Sequence, residues 1–145
     1  MAVTHGQHFI DAEVAGAGNV AAKFLDLAGA ARTAVIRKGL RTSGNVVLKE
    51  ARRRVTVETG NLRRSLKLDV RVRREGWGTA RVFPRQGSDQ RHDGFYGRFV
   101  ELGTVHMPAR PFLRPALDHS RRESEQAFAQ ALREEIEKRI ERARL

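Results

Sequence analysis

Cysteine is absent from this chain, so it has no disulfide framework, no thiolate metal site and no thiol nucleophile. Such a chain suits a reducing cytoplasm. Aromatic residues are few: one tryptophan, one tyrosine and seven phenylalanines in 145 residues. No apolar run approaches the roughly 20 residues that a membrane helix needs, and the first residues lack a signal-peptide pattern. Internal repeats and low-complexity tracts are missing too. Catalytic patterns are equally scarce. There is no G-x-S-x-G elbow, no H-E-x-x-H and no Walker-type or dinucleotide glycine motif. His5 and His8 lie three apart near the start, while His92, His106 and His119 are scattered without carboxylate partners. Asp118-His119-Ser120 names triad residues consecutively, but adjacent side chains on a helix diverge and cannot form a relay. The expectation is a protein with no catalytic residue, cofactor, metal or small-molecule substrate.

Positive charge is what the chain has in excess. Its net charge is +11, and residues 28–85 alone carry a net +12 against a nearly neutral remainder. Arginine heavily outnumbers lysine, which favours bidentate contacts to phosphate or carboxylate. The basic block fits a surface held near nucleic acid or an acidic protein, with solvated helix and strand faces as the plain alternative. Arg52, Arg53, Arg63, Arg64, Arg71 and Arg73 are the candidates to face DNA or a partner.

Periodicity supplies the elements. Residues 1–18 read as a flexible polar leader, and residues 19–145 as one domain. Asn19 is placed to cap a short helix holding Phe24 and Leu25, interrupted at Gly29. A longer helix is expected from about Ala31 to Arg54, with Ile36, Leu40, Ser43, Val47, Ala51 and Val55 on one face. Gly44 in its middle marks either a close packing contact or a bend. Leu66, Leu68, Val70 and Val72 alternate strictly with Lys67, Asp69, Arg71 and Arg73, the signature of a half-buried strand. A turn at residues 75–78 returns the chain along Thr79 to Phe83. Pro84 to Gly94 is a polar loop expected to be mobile. Residues 95–102 fit a third strand or a short helical turn. A final helix runs from about Pro115 to Arg142, with Phe128, Leu132, Ile136 and Ile140 as its stripe and Glu134–Lys138 and Glu135–Arg139 as surface pairs. The fold class is α+β: a small antiparallel sheet packed against two long helices.

Two segments stand out from this background. Thr59-Gly60-Asn61-Leu62-Arg63-Arg64-Ser65 precedes the first strand as a turn in which Gly60 relieves strain and Leu62 plugs the core. Phe99-Val100-Glu101-Leu102-Gly103-Thr104 leads to Pro108, Pro111, Phe112 and Pro115, a rigid, shaped connector into the last helix. Glu101 is a natural ion-pair partner for an arginine between Arg52 and Arg74, and Thr104 can bond neighbouring backbone groups. Together the two segments resemble a family of tail-component proteins from long-tailed, lambda-like bacteriophages. There a TG-x-L-x-x-S element precedes the first strand, and a VE-x-GT…P-x-x-PF-x-x-PA element leads into a long terminal helix. The resemblance covers roughly residues 20–140. It departs from the family where Val55-Thr56-Val57 replaces a proline often found before the first motif, so the preceding helix is expected to end less sharply.

The resemblance implies a structural virion protein at the head–tail junction or tail end, acting in tail completion, as a terminator or in the neck. It further implies a homo-oligomeric ring, commonly hexameric, around the DNA channel. Its partners would be itself, other neck or tail-tube proteins, and DNA passing through without sequence specificity. No membrane is expected as a partner, and its locations would be the virion and, during assembly, the host cytoplasm. Thr59, Gly60, Leu62, Ser65, Glu101, Gly103, Thr104, Pro108, Pro111, Phe112 and Pro115 are the candidate motif and interface residues. The alternative is a small basic DNA-binding protein, although no helix-turn-helix or zinc-finger pattern is legible. A toxin-like or nuclease fold is a weaker third reading, opposed by the lack of a carboxylate-plus-histidine cluster.

Overall fold

The computed structural model describes residues 22–55, 60–86 and 94–145. The expected leader, the residue Thr59 and most of the expected mobile loop lie outside the described residues. A helical turn at residues 22–25 ends where Leu27 N–H donates to the Phe24 carbonyl. Gly29 then opens a long helix, α1 (Gly29–Arg54), rather than merely interrupting one. Arg52, Arg53 and Arg54 occupy its last turn, where cations complement the negative end of the helix dipole. It stops cleanly at Val55, whose backbone is extended (φ −63°, ψ 129°). No proline is needed to end it.

A short helix, α2 (Asn61–Ser65), turns the chain into β1 (Leu66–Val72), which pairs antiparallel with β2 (Gly78–Pro84). Leu66 faces Pro84, Leu68 faces Val82 and Val70 faces Ala80. Side chains opposite each other share a face, so the alternating apolar set of β1 lies with that of β2 against the helices. Next comes α3 (Gly97–Leu102), so residues 95–102 make a helical turn and not a third strand. The chain closes with α4 (Leu113–Ala143), a 31-residue helix starting two residues before the position expected from Pro115. Two long helices over a two-stranded antiparallel sheet make the protein α+β.

Packing explains the glycines in α1. A side chain at Gly44 would sit 2.5 Å from Leu68 Cδ1, and one at Gly39 would sit 2.8 Å from the Phe128 ring. Gly44 is therefore a close-approach point between helix and sheet, not a bend. The buried face of α1 runs through Val35, Ile36, Gly39, Gly44 and Ala51, while Leu40 and Val47 are only partly covered. The ends of the two long helices reveal their direction. Ala51 and Val55 share a core cluster with Phe112 and Ala116, whereas Gly39 meets Phe128 and Leu132. The helices thus run antiparallel. Leu62 and Leu66 complete that cluster, with Leu48, Val82, Val100 and Leu113 packed around it. Along α4, Arg139 pairs with Glu135 at 3.1 Å, while Glu134 accepts from Gln130 Nε2 at 2.9 Å.

Candidate assembly surface

Gly60 sits at φ 75°, a left-handed turn that leads the chain into α2. Leu62 and Ser65 then point into the protein, 4% and 0% exposed. Ser65 Oγ donates to the Leu62 carbonyl at 2.7 Å, and Arg52 Nη2 donates to the Leu66 carbonyl at 3.0 Å. The Ser65 carbonyl accepts from Arg85 N–H, and the Arg85 carbonyl accepts from Gly94 N–H, both at 2.8 Å. A backbone stem therefore closes the 84–94 loop at its base. Gly94 and Gly97 lie so close to Ser65, Leu62 and Pro84 that neither could carry a side chain without displacing them. The first motif thus packs on the start of α3, and the second motif begins within that helix. Sequence reasoning had not singled out Gly94, Gly97, Pro84 or Arg85. The G-x-x-G spacing across Phe95 and Tyr96 was the available signal.

Glu101 overturns its expected ion pair. Its carboxylate accepts three backbone N–H groups from the start of α4: Phe112 at 2.7 Å, Leu113 at 2.9 Å and Arg114 at 3.0 Å. The physical reason is that a helix begins with backbone donors lacking intrahelical partners and with a positive dipole end, both of which favour an anion. Pro115, the next residue, has no N–H. Ala116 N–H makes the first turn's bond to the Phe112 carbonyl. One carboxylate and one proline together leave no donor of this helix start unpaired.

The connector between them is equally determined. Gly103 N–H caps α3 by donating to the Phe99 carbonyl, and Gly103 adopts φ 74°. A side chain there would meet the Ala109 nitrogen at 2.8 Å. Thr104 and Met107 exchange backbone hydrogen bonds at 2.8 and 3.3 Å, making a tight hairpin with Val105 and His106 at its tip. Thr104 Oγ1 accepts from His106 N–H at 3.3 Å, and Arg110 N–H donates to the Val100 carbonyl at 2.7 Å. Pro108 and Pro111 are exposed, whereas Phe112 is 1% exposed within its own chain. Its ring is not available to a partner. Solvent instead meets Phe95, Tyr96, Phe99, Leu102, Val105 and Met107. Phe95, Phe99 and Leu102 recur at i, i+4 and i+7, the spacing of one helix face, with Phe95 and Phe99 edge to face at 5.7 Å.

The six candidate arginines come from α1, α2 and β1 with its extension, and Arg52 is the one already bonded to the Leu66 carbonyl. Arg53 and Arg54 grip Glu50 at 2.7 and 2.6 Å, Arg64 bonds Asn61, and Arg71 bonds Asp69 at 2.9 Å. Arg73 lies over the Trp77 ring at 4.7 Å, and Arg63 is exposed. The hydrogen bond from Arg53, aided by Arg54, draws the Glu50 carboxyl down from its ordinary value of 4.5 to about 2. With the folded value below the unfolded one, this anion adds stability above about pH 4.5 and loses it as pH falls toward 2. Glu50→Gln should accordingly flatten the acid side of the thermal-midpoint profile within that window. An unchanged slope there would mean that other carboxylates govern acid unfolding.

Among the described residues no group of three or more His, Cys, Asp or Glu is placed to hold a metal ion, and no helix is long and apolar enough to cross a membrane. Ser120 is buried and bonds the Ala116 carbonyl, while Asp118 and His119 face solvent. Neither curated proteins nor solved structures yield a match to the chain. A family model described as "Bacteriophage HK97-gp10, putative tail-component" matches residues 19–103. That span takes in α1, the Gly60–Ser65 corner, both strands and α3 through its cap at Gly103, and it stops short of α4. With more than half its length matched, the chain belongs to the HK97-gp10-like family of bacteriophage tail components.

Proposed function

We propose that this protein is a structural component of the virion at the head–tail junction or tail end, where it completes, terminates or joins the tail. Copies associate side to side into a ring, six-fold by analogy with similar tail proteins, that surrounds the DNA channel and meets neck or tail-tube proteins above and below. Assembly takes place in the host cytoplasm. The observation that carries this reading is the solvent-facing apolar set on α3 and its hairpin. Leu102 is 73% exposed and Val105 97%, yet both stand on backbone fixed by the Gly103 cap and the Thr104–Met107 bridge. Rigid apolar projections lose little entropy on docking and gain by leaving water. A contact between this surface and a different surface of the next copy is heterologous, and it closes into a ring when the rotation permits.

Light scattering across a concentration series tests the proposal. Wild type should form a defined oligomer. Leu102→Asp and Val105→Asp should each raise the concentration at half-assembly by about tenfold or more, equivalent to roughly 1.4 kcal/mol, without lowering the unfolding midpoint. A ring unaffected by both variants would place the contact elsewhere. A monomer at every concentration would exclude self-assembly without a tail template. The alternative, a small basic DNA-binding protein, rests on the net +12 of residues 28–85. It predicts duplex binding by a monomer.

A further inference from the structure

We infer that the outer face of the β1–β2 ribbon is a docking surface for the phosphate backbone of duplex DNA. This deepens the collar reading, and it rests on that reading for the presence of DNA beside the protein. The inner face of the ribbon is spent on the helices, as Gly44 against Leu68 and Gly78 against Leu40 demonstrate. The opposite parity is free to meet a partner. Along β1 it carries Lys67, Asp69, Arg71 and then Arg73, and along β2 it carries Thr79, Arg81, Phe83 and then Arg85. The register sets Lys67 across from Phe83, Asp69 across from Arg81 and Arg71 across from Thr79. Arg73 N–H bonds the Trp77 carbonyl and Arg85 N–H the Ser65 carbonyl, so the ladder continues beyond both strand ends.

Five cations against one carboxylate leave this narrow face at +4. A surface charged only for solubility mixes both signs. The 111–145 segment does so, with eight cations and seven anions. The one anion among these strand positions, Asp69, is already held by Arg71 at 2.9 Å, and Glu75 lies apart in the turn. Two exposed aromatics interrupt the row of cations: Phe83 is 39% exposed and Trp77 51%, the latter with the Arg73 guanidinium over its ring. Cations interleaved with accessible aromatic faces suit a nucleic-acid backbone and the base or sugar edges beside it. A two-stranded ribbon is also narrow enough to enter the major groove. Nothing on the face reads sequence, since it presents no Asn or Gln and its arginines share one row. Recognition is therefore of the backbone. Lys67, Arg81 and Arg85 join Arg71 and Arg73 as its contacts.

Trp77 is the only tryptophan in the chain, so its emission reports on this face directly. The test titrates the full chain with a fluorescein-labelled duplex of arbitrary sequence, following both anisotropy and tryptophan emission at several salt concentrations. Wild type should bind with a log–log salt slope of about −4, four to five phosphates being neutralised, and its tryptophan emission should change with the same midpoint. Arg81→Ser combined with Arg85→Ser should weaken binding by about tenfold or more and reduce the slope by about 2. Arg121→Ser combined with Arg122→Ser, on α4, should leave both unchanged. Equal losses in the two double variants, or binding without a change in emission, would overturn the assignment. So would polyglutamate binding as tightly as DNA, which would make the face a seat for an acidic protein. Light scattering on the same samples separates the two readings. A ring that binds DNA equally well after the ribbon substitutions refutes this inference alone, and a monomer that binds DNA through the ribbon refutes template-free ring assembly alone.

Discussion

Phe112→Ala should lower the unfolding free energy by about 3–5 kcal/mol, with the urea midpoint falling and the m-value unchanged. The ring is 1% exposed and shares its cluster with Ala51 and Val55 from the end of α1, Leu62 from α2, Leu66 from β1 and Ala116 from α4. Four elements therefore lean on one side chain. The cavity left by its removal could not collapse cheaply, because the surrounding backbone is already fixed by the Glu101 bonds and the Arg52–Leu66 bond. The result also separates two roles that the sequence left open for this residue. An interface residue would lose assembly while the subunit stayed stable. The burial of Phe112 within its own chain requires the reverse: loss of stability at concentrations where the protein is monomeric. A change below about 1 kcal/mol would mean that this cluster is not the centre of the core.

The features legible in the sequence were those written in polar–apolar contrast. Strict alternation from Leu66 to Arg73 identified β1 and its inner face, and the spacing of Phe128, Leu132, Ile136 and Ile140 identified α4. Features that depend on small residues were hidden. The buried face of α1 includes Gly39 and Gly44, because Phe128 and Leu68 lie against its bare backbone. A hydropathy pattern registers such positions as gaps and draws the stripe through Leu40 and Val47 instead. Residues 95–102 were ambiguous for a related reason. A short apolar run fits a strand or a turn of helix equally well, and here the choice follows from contacts at Gly94 and Gly97 that only the fold supplies. Arg81 and Arg85 reach the outer face of β1 only through strand parity across the hairpin, which local charge does not register.

Glu101 was the least legible site, and it yields the second large effect. Charge counting assigns this carboxylate to one of many arginines, yet it bonds backbone donors eleven to thirteen residues ahead. A trace of that arrangement is present in the sequence. The residues before α4 are Arg110, Pro111 and Phe112, none of which can cap a helix with its side chain, so the acceptor must come from elsewhere. Hydrogen bonds to a charged acceptor contribute more than neutral ones, and removing the acceptor strands the donors of Phe112 and Leu113 in a part-buried setting. Glu101→Ala should therefore cost about 2–4 kcal/mol. Glu101→Gln should cost about half as much. Its one oxygen can serve Phe112 and Leu113, which now share Oε2, but its amide then turns an N–H toward the Arg114 N–H. Chemical denaturation gives the totals, and amide hydrogen exchange locates them. Protection should fall at Phe112, Leu113 and Arg114 and stay unchanged in the second half of α4, where the bonds are intrahelical. If Glu101→Ala shifts stability by less than about 0.5 kcal/mol, the first turn of α4 frays without cost, and the connector from Gly103 to Pro111 is held by its own hairpin alone.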